Sequence, residues 1–456
     1  MSRPLPAILL LTVFRLTAAI AGPPNVLLFI SDDQRADAIG AFGHPDVKTP
    51  NLDRLVERGF SFRNAYCMGS DVGAVCRPSR AMLLSGHNLF RAPADLADVV
   101  TLPECFRDAG YDTFGTGKWH NGRESFVRSF THGGAVFFGG MGDPYKLPVA
   151  DYQAIAAKPL GETHPSGLHA ETLFADEAIR FLRDEPHKHP FFAYVSFTSP
   201  HDPRNAPPEF AAMYDPREVD LPPNFLPEHP FDNGELKIRD EQLAAWPRTP
   251  KVIRQHLAEY YAMISHIDHE VGRVLEALEA SGEAAETIVV FTSDHGLAIG
   301  SHGLMGKQNL YEHSMKAPLI VAGPRVPHRE SEAFVYLFDL FPMLCDFAGI
   351  DPPKSIDGKN LAPIVRGEAT EVRQSLFTAY RDVQRSIRAG RWKLIDYPRT
   401  NRVQLFDLSV DPHEMHDFSN NPNYEKHVEA LRKGLAVDQR RYGDELTLPP
   451  QQGVER

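Results

Sequence analysis

One short segment places a cysteine, two arginines and a serine where they could bind an anion or attack one. Cys76-Arg77-Pro78-Ser79-Arg80 is followed by the apolar residues 81–84. Proline and serine favour the first turn of a helix, so Cys76 is predicted at a helix N-terminus, where free backbone amides attract anions. A thiolate phosphatase with a Cys-x5-Arg cradle would need arginine at position 82, which is methionine. From this segment alone, a reactive cysteine and a buried, inert cysteine both remain open.

Acidic residues that could hold a hard metal ion follow two apolar runs. Asp32 and Asp33 come directly after residues 25–30, and Asp294 follows residues 287–292 with His295 beside it. Carboxylate oxygens are the ligands that Ca²⁺ prefers, and the chain has no cysteine pair with zinc spacing. A single aspartate at such a position could simply cap a helix, but three carboxylates from two strand ends predict a cation site.

Two more apolar runs end in basic or imidazole side chains. Residues 111–116 lead into Lys118 and His120, and residues 191–197 lead into His201. Imidazole exchanges protons near neutral pH, so both histidines are candidate acid–base groups. A lone lysine or histidine is usually structural or solvated. These residues are candidates for a functional site because they lie beside predicted strand ends.

The elements that must position these groups alternate along the chain. Strand-like runs alternate with helical patterns at 51–58, 101–110, 168–184 and 251–280, which predicts a mostly parallel α/β sheet. Ligands of such sheets bind beyond the carboxyl ends of the strands, so the four strand ends should converge on one crevice. Strand patterns after residue 370 and a helical pattern at 424–441 predict a small antiparallel sheet and a closing helix.

We therefore predict an α/β fold with a large domain and a smaller one. The large domain, residues 22–370, has a mixed, mostly parallel central sheet flanked by helices, and residues 371–456 form an α+β subdomain with an antiparallel sheet. Between the strands, residues 202–250 hold ten prolines in 49 positions, which is typical of a long functional or irregular connection.

Composition excludes several classes of protein. The 456 residues carry 48 Lys and Arg against 60 Asp and Glu, a net charge of -12, which argues against a nucleic-acid partner. Four cysteines are too few for a disulfide framework in a chain of this length. Residues 1–21 resemble a signal peptide ending in Ala19-Ile20-Ala21, although Arg15 interrupts the apolar stretch, and no later run reaches the length of a membrane span. The prediction is a soluble periplasmic or secreted protein.

The segment around Cys76 resembles the signature of the type I sulfatases of the alkaline phosphatase superfamily. In that family the cysteine of C-x-P-S-R is oxidised after translation to formylglycine, and the motif is complete here. Other similar segments follow in the family's order between Pro24 and Leu408, at residues 32–33, 49–54, 73–75, 83–86, 117–120, 199–201, 293–296 and 306–307. Each segment alone is weak evidence, but the ordered set is highly specific.

The resemblance implies a bound metal ion and distinct roles for the site residues. One Ca²⁺ would be bound by Asp32, Asp33, Asp294, His295 and the modified residue 76, with histidine at a position where many relatives have asparagine. The hydrated aldehyde, a gem-diol, would supply the nucleophile that attacks sulfur. The remaining catalytic groups would be Arg80, Lys118, His120, His201 and Lys307, of which His201 and Lys307 assist the departing alcohol and His120 accepts a proton as sulfate is released.

The expected substrate is a sulfated carbohydrate, and the expected partner protein is a formylglycine-generating enzyme or its anaerobic equivalent. Residues 373–402 contain eight Lys and Arg and two Asp and Glu, so we expect this basic stretch and residues 202–250 to frame the substrate pocket. The substrate-binding residues would be Lys118, His201, Lys307, Arg385 and Arg388. Solvated strand faces are an equal alternative for the basic stretch.

Two other functions remain open at this point. A phosphonate or phosphate ester hydrolase of the same superfamily can share the formylglycine motif, and a protein with an unmodified Cys76 could bind sulfated glycans without catalysis. Among the other residues, His266 and His269 are expected to be exposed, and His302 and His313 flank Lys307 without a defined role. The remaining cysteines, Cys67, Cys105 and Cys345, are expected to be packing thiols or to include one disulfide pair.

Overall fold

The computed structural model describes residues 22–154, 158–183 and 187–449, so the predicted signal peptide lies outside the described residues. The strands, numbered along the chain, are β1 (Asn25–Ser31), β2 (Phe60–Tyr66), β3 (Gly69–Ser70), β4 (Asp112–Lys118), β5 (His132–Phe137), β6 (Pro148–Tyr152), β7 (Leu160–Pro165), β8 (Phe191–Ser196), β9 (Thr287–Ser293), β10 (Leu319–Ala322), β11 (Arg329–Tyr336), β12 (Ser375–Tyr380), β13 (Gln384–Ala389), β14 (Trp392–Tyr397) and β15 (Arg402–Asp407).

A ten-stranded mixed sheet forms the centre of the larger part of the chain. Its strand order is β11-β2-β10-β9-β1-β8-β4-β5-β6-β7. The central strands β9, β1, β8, β4 and β5 are all parallel, whereas β10, β6 and β7 pair in antiparallel fashion. Residues of β1, β8 and β9 are buried throughout, which explains their continuous apolar sequences, because a parallel strand is covered on both faces.

Helices cover both faces of this sheet and follow the capping signals in the sequence. They are α1 (Pro50–Arg58), α2 (Cys76–Ser85), α3 (Leu102–Asp108), α4 (Arg123–Ser129), α5 (Ala170–Arg183), α6 (Pro208–Ala211), α7 (Pro250–Ser281), α8 (Glu312–Met315), α9 (Leu340–Ala348), α10 (Ala362–Val365) and α11 (Glu425–Tyr442). Thr101 forms a capping box with Glu104 at the start of α3, and Thr249 accepts a hydrogen bond from the amide of Val252 at the start of α7. Helices α5 and α7 pack against each other and supply apolar residues to a core under β1, β8 and β9.

The second sheet has five strands in the order β15-β14-β13-β12-β3. Strands β12 to β15 are antiparallel neighbours, and α11 packs on them. The edge strand β3 pairs parallel with β12, although it belongs to the segment just before Cys76. Apolar residues of both sheets share one core, including Phe62, Tyr66, Leu394 and Leu405. The C-terminal sheet is therefore built directly against the segment that carries the candidate nucleophile.

The predicted fold class is confirmed in both parts: a mixed, mostly parallel sheet flanked by helices and a smaller, mainly antiparallel sheet. The boundary between residues 370 and 371 stays a prediction. No helix in the described part of the chain combines the length and apolar composition that a bilayer-spanning segment needs.

One local prediction is wrong. His269 is exposed as expected, but His266 is buried, since it lies on the face of α7 that meets α5 and contacts Thr172 and Glu270.

Candidate active site

The four strand ends converge as the topology requires. Asp32 and Asp33 follow β1, Asp294 and His295 follow β9, Lys118 is the last residue of β4, and His201 lies five residues beyond the end of β8. Because β9, β1, β8 and β4 are consecutive in the sheet, their carboxyl ends open onto one crevice.

Three buried carboxylates form the centre of this crevice. Asp32, Asp33 and Asp294 each place an oxygen within 4.8 Å of the others. The backbone favours this cluster, because the amide of Asp33 donates to Asp294 Oδ1 at 3.0 Å and Asp33 has φ of 71°, in the left-handed region. Asp32 is anchored from the other side, since its amide donates to the carbonyl of Ser199 at 2.9 Å.

Each carboxylate is paired with a different buried cation. Lys118 Nζ contacts Asp32, Lys307 Nζ donates to Asp33 Oδ1 at 2.8 Å, and Arg80 Nε donates to Asp294 Oδ2 at 3.0 Å. Three carboxyl groups and three basic side chains therefore meet in pairs, and all six are buried. Such buried pairs are tolerated only when each charge finds a partner.

The donor set fits a hard cation such as Ca²⁺. Asp32 Oδ1 is buried with no hydrogen-bond partner, and burial together with the neighbouring carboxylates raises the pKa of Asp32 to about 8 despite the charge of Lys118. Burial also favours neutral Asp33 and Asp294, but the charges of Lys307 at Asp33, and of His295 and Arg80 at Asp294, hold the pKa of both carboxyls below their usual range. A pocket lined by carboxylate oxygens, one of them without a hydrogen-bond partner, suits a divalent ion.

Cys76 lies against this cluster at the first residue of α2. Its Sγ is 3.1 Å from Lys307 Nζ, 3.3 Å from His295 Nε2 and 3.6 Å from Asp33 Oδ1. Burial and the charge of Asp32 raise the pKa of the Cys76 thiol well above its ordinary value, so an ionised thiolate is disfavoured. The environment therefore argues against a thiolate nucleophile and leaves position 76 as a residue in contact with carboxylates, a lysine and an imidazole together.

Helix α2 fixes the groups around position 76. Ser79 Oγ donates to the backbone carbonyl of Asp294 at 2.6 Å. Arg80 is wholly buried and also donates to Ser196 Oγ at 2.5 Å and to the carbonyl of Lys118 at 3.1 Å. One arginine thus ties the ends of β4, β8 and β9 to the start of α2.

Two histidines face the same crevice, and burial lowers the pKa of both. His201 Nε2 is 3.8 Å from Asp33 Oδ2, and its Nδ1 lies 2.7 Å from the carbonyl of Asp202, which fixes the ring. Burial and the charge of Lys307 lower the pKa of His201 to about 4. Burial and the charge of Lys118 lower the pKa of His120 to about 2, so His120 is neutral and its buried Nδ1 has no partner.

Sequence reasoning missed two buried glutamates that support the site from behind. Glu171 accepts four hydrogen bonds from Thr198 and Ser199, the turn that precedes His201. Glu241 accepts from the amides of Met305 and Gly306, immediately before Lys307. Neither glutamate has a local sequence signal, because its partners are 27 to 65 residues away along the chain.

Comparison with known proteins places the chain in a family. A family model described as "Sulfatase" matches residues 24–350, and one described as "N-sulphoglucosamine sulphohydrolase, C-terminal" matches residues 300–441. The chain belongs to the sulfatase family. It is similar to an arylsulfatase of Clostridium perfringens, with 28% identity over 457 residues, covering 90% of this chain and 93% of the relative. An N-acetylglucosamine-6-O-sulfatase of Bacteroides thetaiotaomicron is 28% identical over 507 residues, covering 92% of this chain and 87% of that protein.

Solved structures share the fold of this sulfatase. One, captured with D-glucosamine-2-N,6-O-disulfate as its substrate, superposes with a TM-score of 0.76 at 24% identity, covering 93% of this chain and 99% of the other. This superposition shows that the fold is shared along nearly the whole chain. The family match and the named relatives make the chain an enzyme of the sulfuric ester hydrolase class.

The basic stretch of the sulfatase is not the free positive surface that its sequence suggests. Arg385 is buried and its guanidinium binds both carboxylate oxygens of Asp444, and Arg388 binds Glu312 and Asn64 at 2.9 Å each. Seven of the eight basic side chains pair with acids, namely Arg373, Arg381, Arg385, Arg388, Arg391, Lys393 and Arg399. These cations neutralise acidic side chains of the protein, so Arg385 and Arg388 are withdrawn as substrate-binding residues.

The structure also locates the two histidines and three cysteines that the sequence left without a defined role. His302 Nδ1 lies 3.2 Å from His313 Nε2, and both buried rings pack with Tyr311 beneath the C-terminal sheet. Cys67, Cys105 and Cys345 are buried free thiols, and the sulfurs of Cys105 and Cys345 are 3.9 Å apart. Any disulfide among these three would therefore join Cys105 to Cys345.

Proposed function

We propose that this sulfatase hydrolyses sulfate monoesters of a carbohydrate, using formylglycine formed from Cys76 and one Ca²⁺, and releases the alcohol and inorganic sulfate. The observation that carries the proposal is the contact of Cys76 Sγ with Lys307, His295 and Asp33 within 3.6 Å. A group at position 76 touches the proposed metal ligands and the proposed sulfate-binding cations at once.

The metal would be held by the residues that already converge. Asp32, Asp33, Asp294 and His295 would supply protein ligands, together with the modified residue 76. When bound, Ca²⁺ would act as a Lewis acid that favours the ionised hydroxyl of the hydrated aldehyde and polarises the sulfate. His295 is positioned for this by its Nδ1, which lies 2.9 Å from the carbonyl of Gly296 and leaves Nε2 facing the cluster.

The cations of the site would bind the sulfate oxygens. Arg80, Lys118 and Lys307 are buried around position 76, and each contacts a carboxylate. Negative charge that develops on the sulfuryl oxygens and on the leaving oxygen is stabilised by such preorganised donors in a site that excludes water.

The two histidines would divide the proton transfers. The lowered pKa of His120 keeps its imidazole unprotonated at neutral pH, so a ring nitrogen is free to take up a proton during the reaction. His201 would donate a proton to the departing alcohol, since a bound anionic ester beside its imidazole favours the protonated form. Lys307, on the same side of position 76, would stabilise the same oxygen.

Sulfated carbohydrate is supported as the substrate by the relatives' names. One relative is an N-acetylglucosamine-6-O-sulfatase, and another from the same organism is a Δ4,5-hexuronate-2-O-sulfatase. We further propose that residues 1–21 direct export to the periplasm or outside the cell, and that a formylglycine-generating enzyme or its anaerobic equivalent modifies Cys76 beforehand.

Mass spectrometry of the peptide that contains Cys76 tests the modification directly. We expect the aldehyde or its hydrate in protein produced with a formylglycine-generating enzyme, and an unmodified thiol would leave only the binding function. Metal analysis should find one Ca²⁺ per chain, whereas paired Zn²⁺ or Mn²⁺ would contradict the proposal. Assays with glucosamine sulfates, hexuronate sulfates, 4-nitrophenyl sulfate and phenylphosphonate esters then separate a carbohydrate sulfatase from a phosphonate hydrolase.

A further inference from the structure

One turn in the proline-rich segment touches both sides of the leaving-group site. The turn consists of Arg239, Asp240 and Glu241, at the start of a short 3₁₀ helix, and is called the brace below. We propose that the brace positions His201 and Lys307 relative to each other, and so controls how well the enzyme assists departure of the alcohol. This inference rests on the proposed function, which gives His201 and Lys307 that task.

On one side the brace holds the residue that follows His201. Arg239 binds the carboxylate of Asp202 through both terminal nitrogens, one at 2.9 Å from Oδ1. Asp202 in turn fixes the imidazole, because its carbonyl lies 2.7 Å and its Oδ1 lies 3.4 Å from His201 Nδ1. Holding Asp202 therefore holds the direction in which His201 Nε2 points.

On the other side the brace contacts the residues that precede and follow Lys307 in the chain. Glu241 accepts from the amides of Met305 at 3.0 Å and Gly306 at 2.9 Å, and Asp240 accepts from Gln308 Nε2 at 2.8 Å. Gln308 Oε1 accepts from the backbone amide of Lys307 at 3.0 Å. The residues before and after Lys307 are thus both tied to the brace.

The brace packs directly on the backbone at this point. A Cβ atom added to Gly306 would lie 2.9 Å from Asp240 Cβ and 3.2 Å from Glu241 Oε1, so only glycine leaves room for the contact. The brace is itself closed internally and fixed from behind. Arg239 binds Asp240 at 3.1 Å, and the buried Arg248 donates to Glu241 Oε2 at 2.8 Å.

These contacts make a prediction that a merely structural role does not. If the brace sets the positions of the proton donor and the lysine, its loss should slow esters with poor leaving groups most, because good leaving groups need little proton assistance. A loss of stability or of correctly folded enzyme would slow all esters by the same factor.

The test compares R239Q and E241Q with the wild type on a series of 4-nitrophenyl, phenyl and 4-methoxyphenyl sulfates. All proteins are prepared with formylglycine conversion, and the converted fraction is measured by mass spectrometry and used to normalise kcat. R217Q is the matched control, because Arg217 lies in the same segment and pairs with Asp215 at the exposed surface. R239Q is the more tolerant variant, since 47% of the Arg239 side chain is exposed, and thermal unfolding checks that both variants fold.

We expect R239Q and E241Q to lower kcat/KM about 10- to 100-fold for 4-methoxyphenyl sulfate and less than about twofold for 4-nitrophenyl sulfate, because small displacements of catalytic groups carry penalties of that size. R217Q should match the wild type on every ester. Equal losses of kcat/KM across the series in folded R239Q would overturn this inference and leave the proposed function standing. A wild-type enzyme that carries formylglycine but cleaves neither these esters nor glucosamine and hexuronate sulfates would overturn the inference together with the proposed function.

Discussion

Calcium and sulfate are expected to strengthen each other's binding, because the same cations serve two partners in this site. Without a metal, Lys118, Lys307 and Arg80 each contact one of the carboxylates Asp32, Asp33 and Asp294. A divalent ion would take over those carboxylates and release the three cations to an anion. Binding of either ligand therefore prepares the site for the other.

The size of this coupling follows from the contacts that are exchanged. A Lys–carboxylate contact at about 4 Å is worth about 4 kcal/mol at an effective dielectric constant of about 20. Most of this is recovered when each partner finds the new ligand, so the net coupling should fall in the usual range of about 1–3 kcal/mol, or about 5- to 150-fold in affinity.

Calorimetric titration of Ca²⁺ into the C76A variant, with and without saturating inorganic sulfate, measures the coupling without turnover. We expect sulfate to tighten Ca²⁺ binding at least about fivefold, and Ca²⁺ to tighten sulfate binding by the same factor. Chloride at equal ionic strength is the control for screening. K307Q should reduce the coupling, whereas K251Q, which removes an exposed lysine from the surface of α7, should not. A Ca²⁺ affinity that sulfate leaves unchanged in the parent variant would refute the exchange of partners.

Three further predictions concern catalysis, positioning and stability. C76S is expected to lose turnover of 4-nitrophenyl sulfate or to trap sulfate covalently, as activity assays and intact mass would show; full turnover would contradict a formylglycine nucleophile. E171Q should lower kcat about tenfold with KM within about twofold, because the amide opposes one of the donors of the turn before His201 and misplaces that histidine; an unchanged kcat would exclude this positioning role. Burial alone would raise the pKa of Glu270, but hydrogen bonds from His266, Thr172 and Arg273 lower it from 4.5 to about 2. Ionised Glu270 therefore stabilises the folded state fully above about pH 4.5, and this contribution is lost as the pH falls toward 2. In urea unfolding, E270Q should lower the free energy of unfolding by up to about 3 kcal/mol at pH 7 and leave it unchanged near pH 2.

The residues that converge in the candidate site could be predicted because each lies next to its own local signal. Asp32 and Asp294 follow unbroken apolar strands, and Cys76 precedes a proline and a serine that start a helix. In a parallel sheet, knowing that a residue ends a strand is enough to place it in the crevice. Local sequence and sheet topology thus carry the first layer of the site.

The supporting layer could not be predicted, because its contacts are long-range and its charges have no periodic pattern. Glu241 and Gly306 are 65 positions apart, and Arg385 and Asp444 are 59 apart. The burial of His266 is a second case, because its neighbours along the chain do not reveal that α5 covers that face of α7. Pairing across such distances is set by tertiary packing and leaves no mark on a single sequence.

The basic stretch and the brace show how charge counts mislead in opposite directions. Residues 373–402 carry a local surplus of positive charge, yet most of their basic side chains form ion pairs with acidic residues, such as Asp444 and Glu312. Residues 239–241 carry one positive and two negative charges and attract no notice, yet their contacts reach the neighbours of both His201 and Lys307. A charged side chain acts through the partner that it meets in the fold. For substrate recognition, the relevant cations would therefore be those whose partners can be exchanged for a sulfate, and under the proposed function these are Arg80, Lys118 and Lys307.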